Sequence, residues 1–276
     1  MKKTALHIIM FITGTLLYAH AYAGFPIGKF RHVVVVSYIY GTTNKAWDST
    51  GTLKEFSNNG RFTSNFFSTY FGYGLTRKVD IFVSLPFVSN AYRETNLAQA
   101  NSGFGDLNVG MTYYIEHFDY SKYVSISVAL IAPMYTNNLK PYIGYAESGV
   151  EGKFNFSGYS KSGWKNTYYD LQFGGRRYNT YLGPTQVFAS GLFGFPTGYR
   201  TGMNFQVEWL KSFSNDKSFN AIDLQLNRDF TYVKGGINFS YRINPNASLY
   251  FNIYSFLTGK NTGQSTGASL STIFKF

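Results

Sequence analysis

The sequence of 276 residues contains no cysteine, few charged residues and, beyond its first 23 residues, no long apolar run. Without cysteine the chain forms no disulfide, no thiolate nucleophile and no thiolate-ligated metal site. Charged residues make up 14% of the chain, whereas about a quarter is usual in soluble domains. A membrane-spanning helix needs about 18 or more consecutive apolar residues. The absences therefore exclude thiol chemistry and a bundle of membrane-spanning helices.

Aromatic residues, in contrast, are abundant. They make up 20% of the chain, with 24 tyrosines and 27 phenylalanines. Tyrosine and tryptophan are enriched where one end of a ring lies in an apolar phase and the other in water, as at membrane interfaces. The composition favours a protein that contacts lipid.

The N-terminus has the pattern of a secretory signal peptide. Lys2 and Lys3 form the positive region, residues 8–17 form a short apolar run, and Ala21-Tyr22-Ala23 is a small-residue cleavage site. A membrane anchor is the alternative interpretation, but the run is too short to span a bilayer. We predict cleavage after Ala23, which gives a signal peptide at 1–23 and a mature domain at 24–276.

The formal charge of +11 falls to +9 when Lys2 and Lys3 leave with the signal peptide. A basic balance indicates an anionic partner. For an exported chain, lipid and lipopolysaccharide headgroups or an anionic solute fit better than nucleic acid, which we do not expect as a partner. We expect no cofactor.

The mature chain repeatedly alternates apolar and polar residues. Met203, Phe205 and Val207, for example, alternate with polar neighbours. A period of two residues predicts half-buried β-strands. About twelve are expected, at 31–41, 62–75, 79–90, 104–116, 123–134, 148–160, 167–178, 185–195, 202–213, 229–242, 247–257 and 266–276.

This alternation is compatible with a soluble sandwich or with an outer-membrane barrel. The polar positions carry charges, as in a wet lumen, and the apolar positions often end in aromatic rings, as in an interfacial girdle. Because the backbone must be fully paired in lipid, the sheet has to close. We predict an all-β, antiparallel up-and-down transmembrane β-barrel with both termini periplasmic. Short turns should then alternate with longer outer loops at 42–61, 91–103, 135–147, 179–184, 214–228 and 258–265.

The last residues, ASLSTIFKF, end on an aromatic residue in the middle of a strand pattern. Ala268, Leu270, Phe274 and Phe276 share one parity, with Thr272 between them. In a closed barrel this strand pairs with the first, at 31–41. The terminal Phe274 and Phe276 resemble the signal that outer-membrane barrels present to their assembly machinery.

Two neighbouring stretches resemble a known family. VDIFVSLPFVSN at 79–90 contains Leu-Pro-Phe-Val, and SGFGDLNVGMTYY at 102–114 contains Gly-Phe-Gly-Asp-Leu. Together with LTGKNTG at 257–263, they resemble a family of outer-membrane transporters named for a phenol-degradation pathway. The resemblance implies uptake or permeation of small hydrophobic or aromatic compounds.

Polar and tyrosine residues on the inward parity are the candidates for contact with a solute. Charged members would form a selective eyelet or a salt-bridge network that fills a narrow barrel; tyrosines would form a slide for aromatic solutes or simply pack. Asp106 would line the mouth or cap a glycine turn. Arg177, on the opposite parity, would face outer headgroups. The candidates are Asp106, Tyr114, Asp170, Arg176, Glu208, Tyr232, Lys234, Arg242, Tyr250 and Tyr254.

Catalysis is not expected. A twelve-stranded barrel resembles outer-membrane phospholipase in strand number, and that chemistry needs a serine activated by a histidine. The mature chain has only His32 and His117, both at predicted periplasmic strand ends, and two histidines without cysteine make no credible transition-metal site.

The sequence therefore predicts an outer-membrane transporter or narrow channel for small, hydrophobic or aromatic solutes. The alternative is a closed structural or surface-interaction barrel whose long loops bind partners.

Overall fold

The computed structural model describes residues 24–119, 121–160, 167–181, 183–220, 224 and 227–276; the predicted signal peptide lies outside them. The described residues contain β1 (His32–Thr43), β2 (Lys45–Trp47), β3 (Leu53–Glu55), β4 (Arg61–Gly74), β5 (Val79–Glu94), β6 (Leu97–Phe104), β7 (Asp106–Phe118), β8 (Lys122–Pro133), β9 (Gly149–Ser160), β10 (Thr167–Tyr178), β11 (Thr185–Pro196), β12 (Thr201–Phe213), β13 (Thr231–Asn244), β14 (Ala247–Lys260), β15 (Thr262–Gly263) and β16 (Thr266–Lys275).

The strands close into an antiparallel barrel with twelve positions in its wall. Each wall strand pairs with its sequence neighbour, and β6 and β7 together occupy one position. The ring closes because β16 pairs with β14 on one side and with β1 on the other. The predicted fold class is confirmed, and the wall strands lie within a few residues of the predicted ranges.

The closing pair joins the last strand to the first, as predicted. Val33 lies opposite Lys275 and Tyr40 lies opposite Ala268. The pairing includes the last residue, since the backbone N–H of Phe276 donates to the His32 carbonyl at 3.0 Å and its carbonyl accepts from the His32 N–H at 3.1 Å. The chain end is fixed because it is part of the seam.

Successive side chains along each strand point to opposite faces of the wall. On β8, Ile126, Val128 and Leu130 are exposed on the outside, whereas Ser125 and Ser127 are buried inside. Outward Phe, Tyr, Ile and Val side chains recur around the ring. Such a surface is costly in water and favourable in hydrocarbon.

Connecting segments differ between the two ends of the barrel. At the end where β1 begins and β16 ends, called here the terminal end, residues 75–78, 197–200 and 245–246 form short turns. At the opposite loop end, longer segments join β1 to β4, β8 to β9 and β12 to β13. This is the predicted asymmetry of lengths.

The predicted loop at 91–103 is wrong. β5 and β6 form a hairpin that turns at residues 95–96, and β4 remains paired with the other side of β5 as far as Arg93. β5 changes partner from β7 to β6 near Pro86, where the Gly105 N–H donates to the Pro86 carbonyl at 2.8 Å. Because proline lacks an N–H, it fits where a ladder is interrupted.

A second, small sheet lies at the loop end and consists of β15, β2 and β3. Beneath it Ala46, Phe56, Phe62 and Tyr92 form a buried cluster. Among the described residues, no helix is long and apolar enough to cross a membrane.

Arginine substitutions will distinguish a lipid-facing wall from a water-facing one. Val128 and Leu139 are 54% and 64% exposed, the first on the outer face of β8 and the second in the segment after it. We expect Val128→Arg to lower the free energy of unfolding in lipid vesicles by about 2–4 kcal/mol, the cost of arginine at the bilayer midplane. Leu139→Arg should cost less than about 0.5 kcal/mol, as at an ordinary surface site. Equal effects in urea titrations would contradict the assignment.

Candidate solute pathway in the barrel lumen

A cavity of about 440 Å³ lies inside the barrel, on the side of the terminal end. Its walls combine rings and aliphatic groups with neutral amides and two ionisable side chains, Lys153 from β9 and Asp80 from β5. The apolar part comprises Tyr70, Phe82, Tyr114, Leu192, Tyr250 and Ile273, and the amides are Asn155, Gln172, Asn204, Gln206 and Asn238.

The amides are held by hydrogen bonds between strands. Asn238 Nδ2 donates to Asn204 Oδ1 at 2.7 Å, and Asn204 Nδ2 donates to the Tyr168 hydroxyl at 3.1 Å. Between the adjacent strands β8 and β9, Asn155 Nδ2 lies 3.2 Å from the hydroxyls of Ser125 and Ser127. Cross-linking of this kind fixes amide orientation and leaves the remaining amide atoms to a solute.

The segment at 24–31 crosses the lumen at the terminal end. Ile27 packs against Val33 and Ile273 on the β1–β16 seam, and its N–H donates to Asp80 Oδ2 at 2.9 Å. Its other end reaches β9 and β10, which stand opposite the seam in the twelve-position ring. The segment thus forms one boundary of the cavity.

Toward the loop end, the opposite boundary is a group of charged side chains. Glu151 is 8% exposed and accepts from Arg176 Nε at 2.9 Å, while its other oxygen lies 3.0 Å from Lys153 Nζ. One carboxylate therefore pairs with two cations, which leaves the group with a net charge of +1, and Arg176 also reaches the Tyr178 hydroxyl at 3.5 Å.

A second charged group lies on β12 and β13. Glu208 accepts from the Tyr232 hydroxyl at 2.6 Å and pairs with Lys234 Nζ at 2.6 Å. The Lys234 ammonium lies 5.9 Å from the Tyr254 ring centroid, a cation–π distance. Both charged groups are internally paired, so the inward surface carries ordered charges rather than free ones.

Loop residues continue this network above the barrel. Arg228 Nη2 lies 2.9 Å from Glu147 Oε1, and its guanidinium lies 5.5 Å from the Tyr145 ring. The Tyr145 ring meets the Tyr178 ring edge-on, at 4.8 Å between centroids. Burial raises the pKa of the Tyr145 phenol above its usual range, so it remains neutral and donates to the Asn227 carbonyl.

Most predicted site residues face the lumen, but the structure divides them among separate groups. Tyr114 and Tyr250 line the cavity. Arg176 belongs to the Glu151 group, and Tyr232, Glu208, Lys234 and Tyr254 form the second group. The placement fits either a selective lumen or a structural network, and the roles of these residues stay predictions.

Three predicted residues have other surroundings. Asp170 is buried beside Ser157 and Gln172, with which it forms hydrogen bonds, and it joins neither ion-paired group. Arg242 does not join the predicted ladder; its Nη2 donates to the Tyr199 carbonyl at 2.7 Å, because β13 carries it to the turn at the terminal end. The Asp106 carboxylate is hydrogen-bonded to the Tyr135 side chain. The backbone N–H groups of the glycine turn, which were one predicted set of partners, are not its partners.

Sequence reasoning missed the segment at 24–31 and the amides of the cavity. The segment has no two-residue period, although Pro26 and the two glycines, Gly24 and Gly28, indicate irregular backbone. The amides occupy inward positions of strands that were predicted. The alternation in the sequence therefore indicates that these amides point inward. Their meeting around one cavity depends on how the barrel closes, which the alternation does not give.

Comparisons with known proteins rest on structure. No family model matches the chain, and no curated protein matches it. An outer-membrane channel from Pseudomonas putida F1 aligns with a TM-score of 0.72 at 14% identity, covering 92% of this chain and 98% of that one. The fold is that of outer-membrane β-barrels.

Other outer-membrane barrels align less closely. The KdgM porin has a TM-score of 0.52 at 6% identity, over 88% of this chain and 99% of its own. The translocator domain of autotransporter NalP from Neisseria meningitidis aligns with a TM-score of 0.51 at 12% identity, covering 100% of this chain and 98% of that one. Because the sequence identities are this low, the alignments show the shared fold alone. The resemblance to the phenol-degradation family stays a prediction, because no family model matches.

The two histidines of the barrel make aromatic contacts. The His32 ring lies 4.9 Å from the Tyr73 ring, and the His117 ring lies 6.5 Å from the Tyr123 ring. Within the described ranges, no group of three or more His, Cys, Asp or Glu side chains is placed to hold a metal ion. That the chain is not an enzyme stays a prediction, consistent with structural neighbours that are channels and porins.

Neutralising Glu151 will test the charged boundary. Glu151→Gln leaves Arg176 and Lys153 without their counter-ion, so we expect a loss of about 1.5–3 kcal/mol in the free energy of unfolding, the range for hydrogen bonds to charged groups. The control Glu55→Gln breaks a pair with Lys45 in which Glu55 is 74% exposed; it should cost less than about 0.5 kcal/mol. Equal losses in urea titrations would refute a structural role for Glu151.

Proposed function

We propose that the protein is an integral outer-membrane channel for uptake of small solutes of hydrophobic or aromatic character. The observation that carries this proposal is the cavity inside the barrel, enclosed by the segment at 24–31 and by the Glu151 group. The solute pathway runs through this cavity, which lies between the two ends of the barrel.

The proposed location rests on the outer surface and on the sequence. Apolar and aromatic side chains cover the outer face of the wall, as lipid requires. The signal peptide at 1–23 directs export, with cleavage after Ala23. Short turns are typical of the periplasmic side, so we place both termini there and the loop end outside.

Two further partners follow from this location. Arg177 is exposed on the outer face of β10 near the loop end, where a guanidinium pairs with lipopolysaccharide phosphates. Phe274 and Phe276 are exposed beside the closing seam, and we assign them as the signal for the assembly machinery. Their outward parity leaves them available before the barrel closes.

The solute class follows from the chemistry of the cavity. Ligand sites are mostly apolar and contain a few well-placed polar groups. Here rings from Tyr70, Phe82 and Tyr250 face amides from Gln172 and Asn204. Rings bind an aromatic or aliphatic body, and amides bind a hydroxyl or carbonyl without a charge. This combination favours neutral, partly polar aromatic solutes.

The barrel is also narrow. Eight-stranded barrels are filled by side chains, and sixteen-stranded porins hold an aqueous channel. Twelve strands with ion-paired groups on the inner wall lie between these limits. A solute therefore moves in contact with side chains, and contact makes the passage selective.

Comparing two glucosides that cross lipid bilayers poorly will test this preference. We expect phenyl β-glucoside to swell liposomes containing the protein faster than methyl β-glucoside does, since the cavity binds rings. A pore that selects by size alone passes the smaller methyl glucoside faster. Faster swelling with methyl glucoside would overturn the aromatic preference, and no swelling with either would overturn the open channel.

Neighbouring positions on β16 supply a matched pair of variants. Ser271 lines the cavity, whereas Thr272 has the opposite parity and faces outward. We expect Ser271→Trp to fill the cavity and reduce swelling with both glucosides severalfold. Thr272→Trp should leave swelling unchanged, because the added ring lies in lipid. Equal effects would show that solutes do not use this cavity.

A closed surface-interaction barrel is the second candidate. It is favoured by the ordered loop end, where β2, β3 and β15 form a sheet and Lys54 pairs with Asp48 at 2.8 Å. That contact with Lys54 lowers the pKa of the Asp48 carboxyl, so the pair persists in mild acid. Absence of swelling with both glucosides, for a correctly folded protein, would favour this candidate.

A further inference from the structure

The backbone of Gly24 is closely packed against the wall inside the lumen. A Cβ atom at this position would lie 1.9 Å from Ser157 Oγ and 2.9 Å from Asp170 Oδ1. Its φ of +53° also disfavours a side chain. The backbone at 24 therefore lies directly against a serine and a carboxylate of the opposite wall.

Asp170, which lies beside Gly24 and Ser157, has no ion-pair partner among the described residues. It is 5% exposed, and its two oxygens accept from Ser157 Oγ at 2.5 Å and from Gln172 Nε2 at 2.7 Å. Both donors are neutral. Lys153 lies within electrostatic reach of Asp170, but its ammonium pairs with Glu151 at 3.0 Å. Among the described residues, no cation forms an ion pair with Asp170.

A buried carboxylate without a counter-charge is costly, because burial removes its hydration. The group that meets this carboxylate is residue 24, the first residue of the mature chain if cleavage follows Ala23. Cleavage converts the neutral amide nitrogen of Gly24 into an ammonium group. That nitrogen is bonded to the α-carbon already seated against Ser157 and Asp170.

The rest of the segment is anchored independently. Asp80 accepts from the Ile27 N–H, and the Phe30 N–H donates to the Gly74 carbonyl at 2.6 Å. Phe25 packs edge-on against Tyr123 at 5.6 Å between ring centroids. The segment is therefore held at the seam and along its length, and its first described residue, Gly24, reaches Asp170.

We propose that the α-ammonium group of mature Gly24 forms an ion pair with Asp170 inside the lumen and thereby locks the segment at 24–31 across the channel. The proposal rests on the cleavage site proposed above. The ammonium charge exists only after the signal peptide is removed, so the ion pair forms only in the processed protein. Before cleavage, the amide at this position carries no charge.

The α-amino group itself reports on this pair. Its usual pKa is about 7.7–8.0, and a neighbouring carboxylate raises it. Trace acetylation over a pH series, quantified on the N-terminal peptide by mass spectrometry, gives this pKa in the folded protein. We expect a value about one unit or more above the usual range in the wild type and a return to that range in Asp170→Asn.

A second variant keeps the test informative if Asp170→Asn does not fold. An alanine inserted between Ala23 and Gly24 moves the ammonium by one residue and leaves the barrel wall unchanged. We expect this insertion to return the α-amino pKa to its usual range and to raise single-channel conductance severalfold. Glu55→Gln, at the loop end, should change neither.

Two results would overturn the proposal. One is an α-amino pKa within the usual range in the folded wild type, and the other is an intact mass showing that the mature chain begins at another residue. Neither depends on the solute. If neither glucoside causes swelling but the α-amino pKa is raised, the channel is refuted and the ion pair between Gly24 and Asp170 is still supported.

Discussion

The rest of the structure depends on the pairing of every backbone polar group in a hydrocarbon environment. Unpaired N–H and C=O groups cost several kcal/mol each in lipid, so a sheet in a membrane must have no edge. Closure explains why β16 pairs with β1 and why Phe276 is held through its backbone at the end of the chain. It also separates two surfaces, one for lipid and one enclosed.

Enclosure determines what the inner surface can do. Twelve strands leave room for a cavity of about 440 Å³, and inward side chains from opposite walls meet around it. Glu151 and Glu208 each pair with cations there, which keeps charges ordered in a confined space. The cavity itself is lined mainly by rings and amides, with Lys153 and Asp80 as its ionisable side chains, and the predominance of rings and amides supports a pathway for neutral aromatic solutes.

The wall could be predicted from the sequence because lipid and lumen impose a strict two-residue period on every strand. The hairpin formed by β5 and β6 was missed because residues 91–103 contain few large apolar side chains, so the hydrophobic alternation that identifies the other strands is weak there. The segment at 24–31 was missed for a related reason, since Ile27 and Gly24 are positioned by contacts across the ring. Arg242 was assigned the correct face, but its height along the strand places it beside Tyr199.

The claim that one parity of each strand faces lipid and the other the lumen is tested most directly on β16. The chain has no native cysteine, so spin labels can be attached singly at 269, 270, 271 and 272 in lipid vesicles. We expect labels at 270 and 272 to collide mainly with oxygen, which concentrates in lipid. Labels at 269 and 271 should be shielded from lipid-dissolved oxygen. Labels at 270 and 272 that collide mainly with a water-soluble nickel chelate would contradict the account.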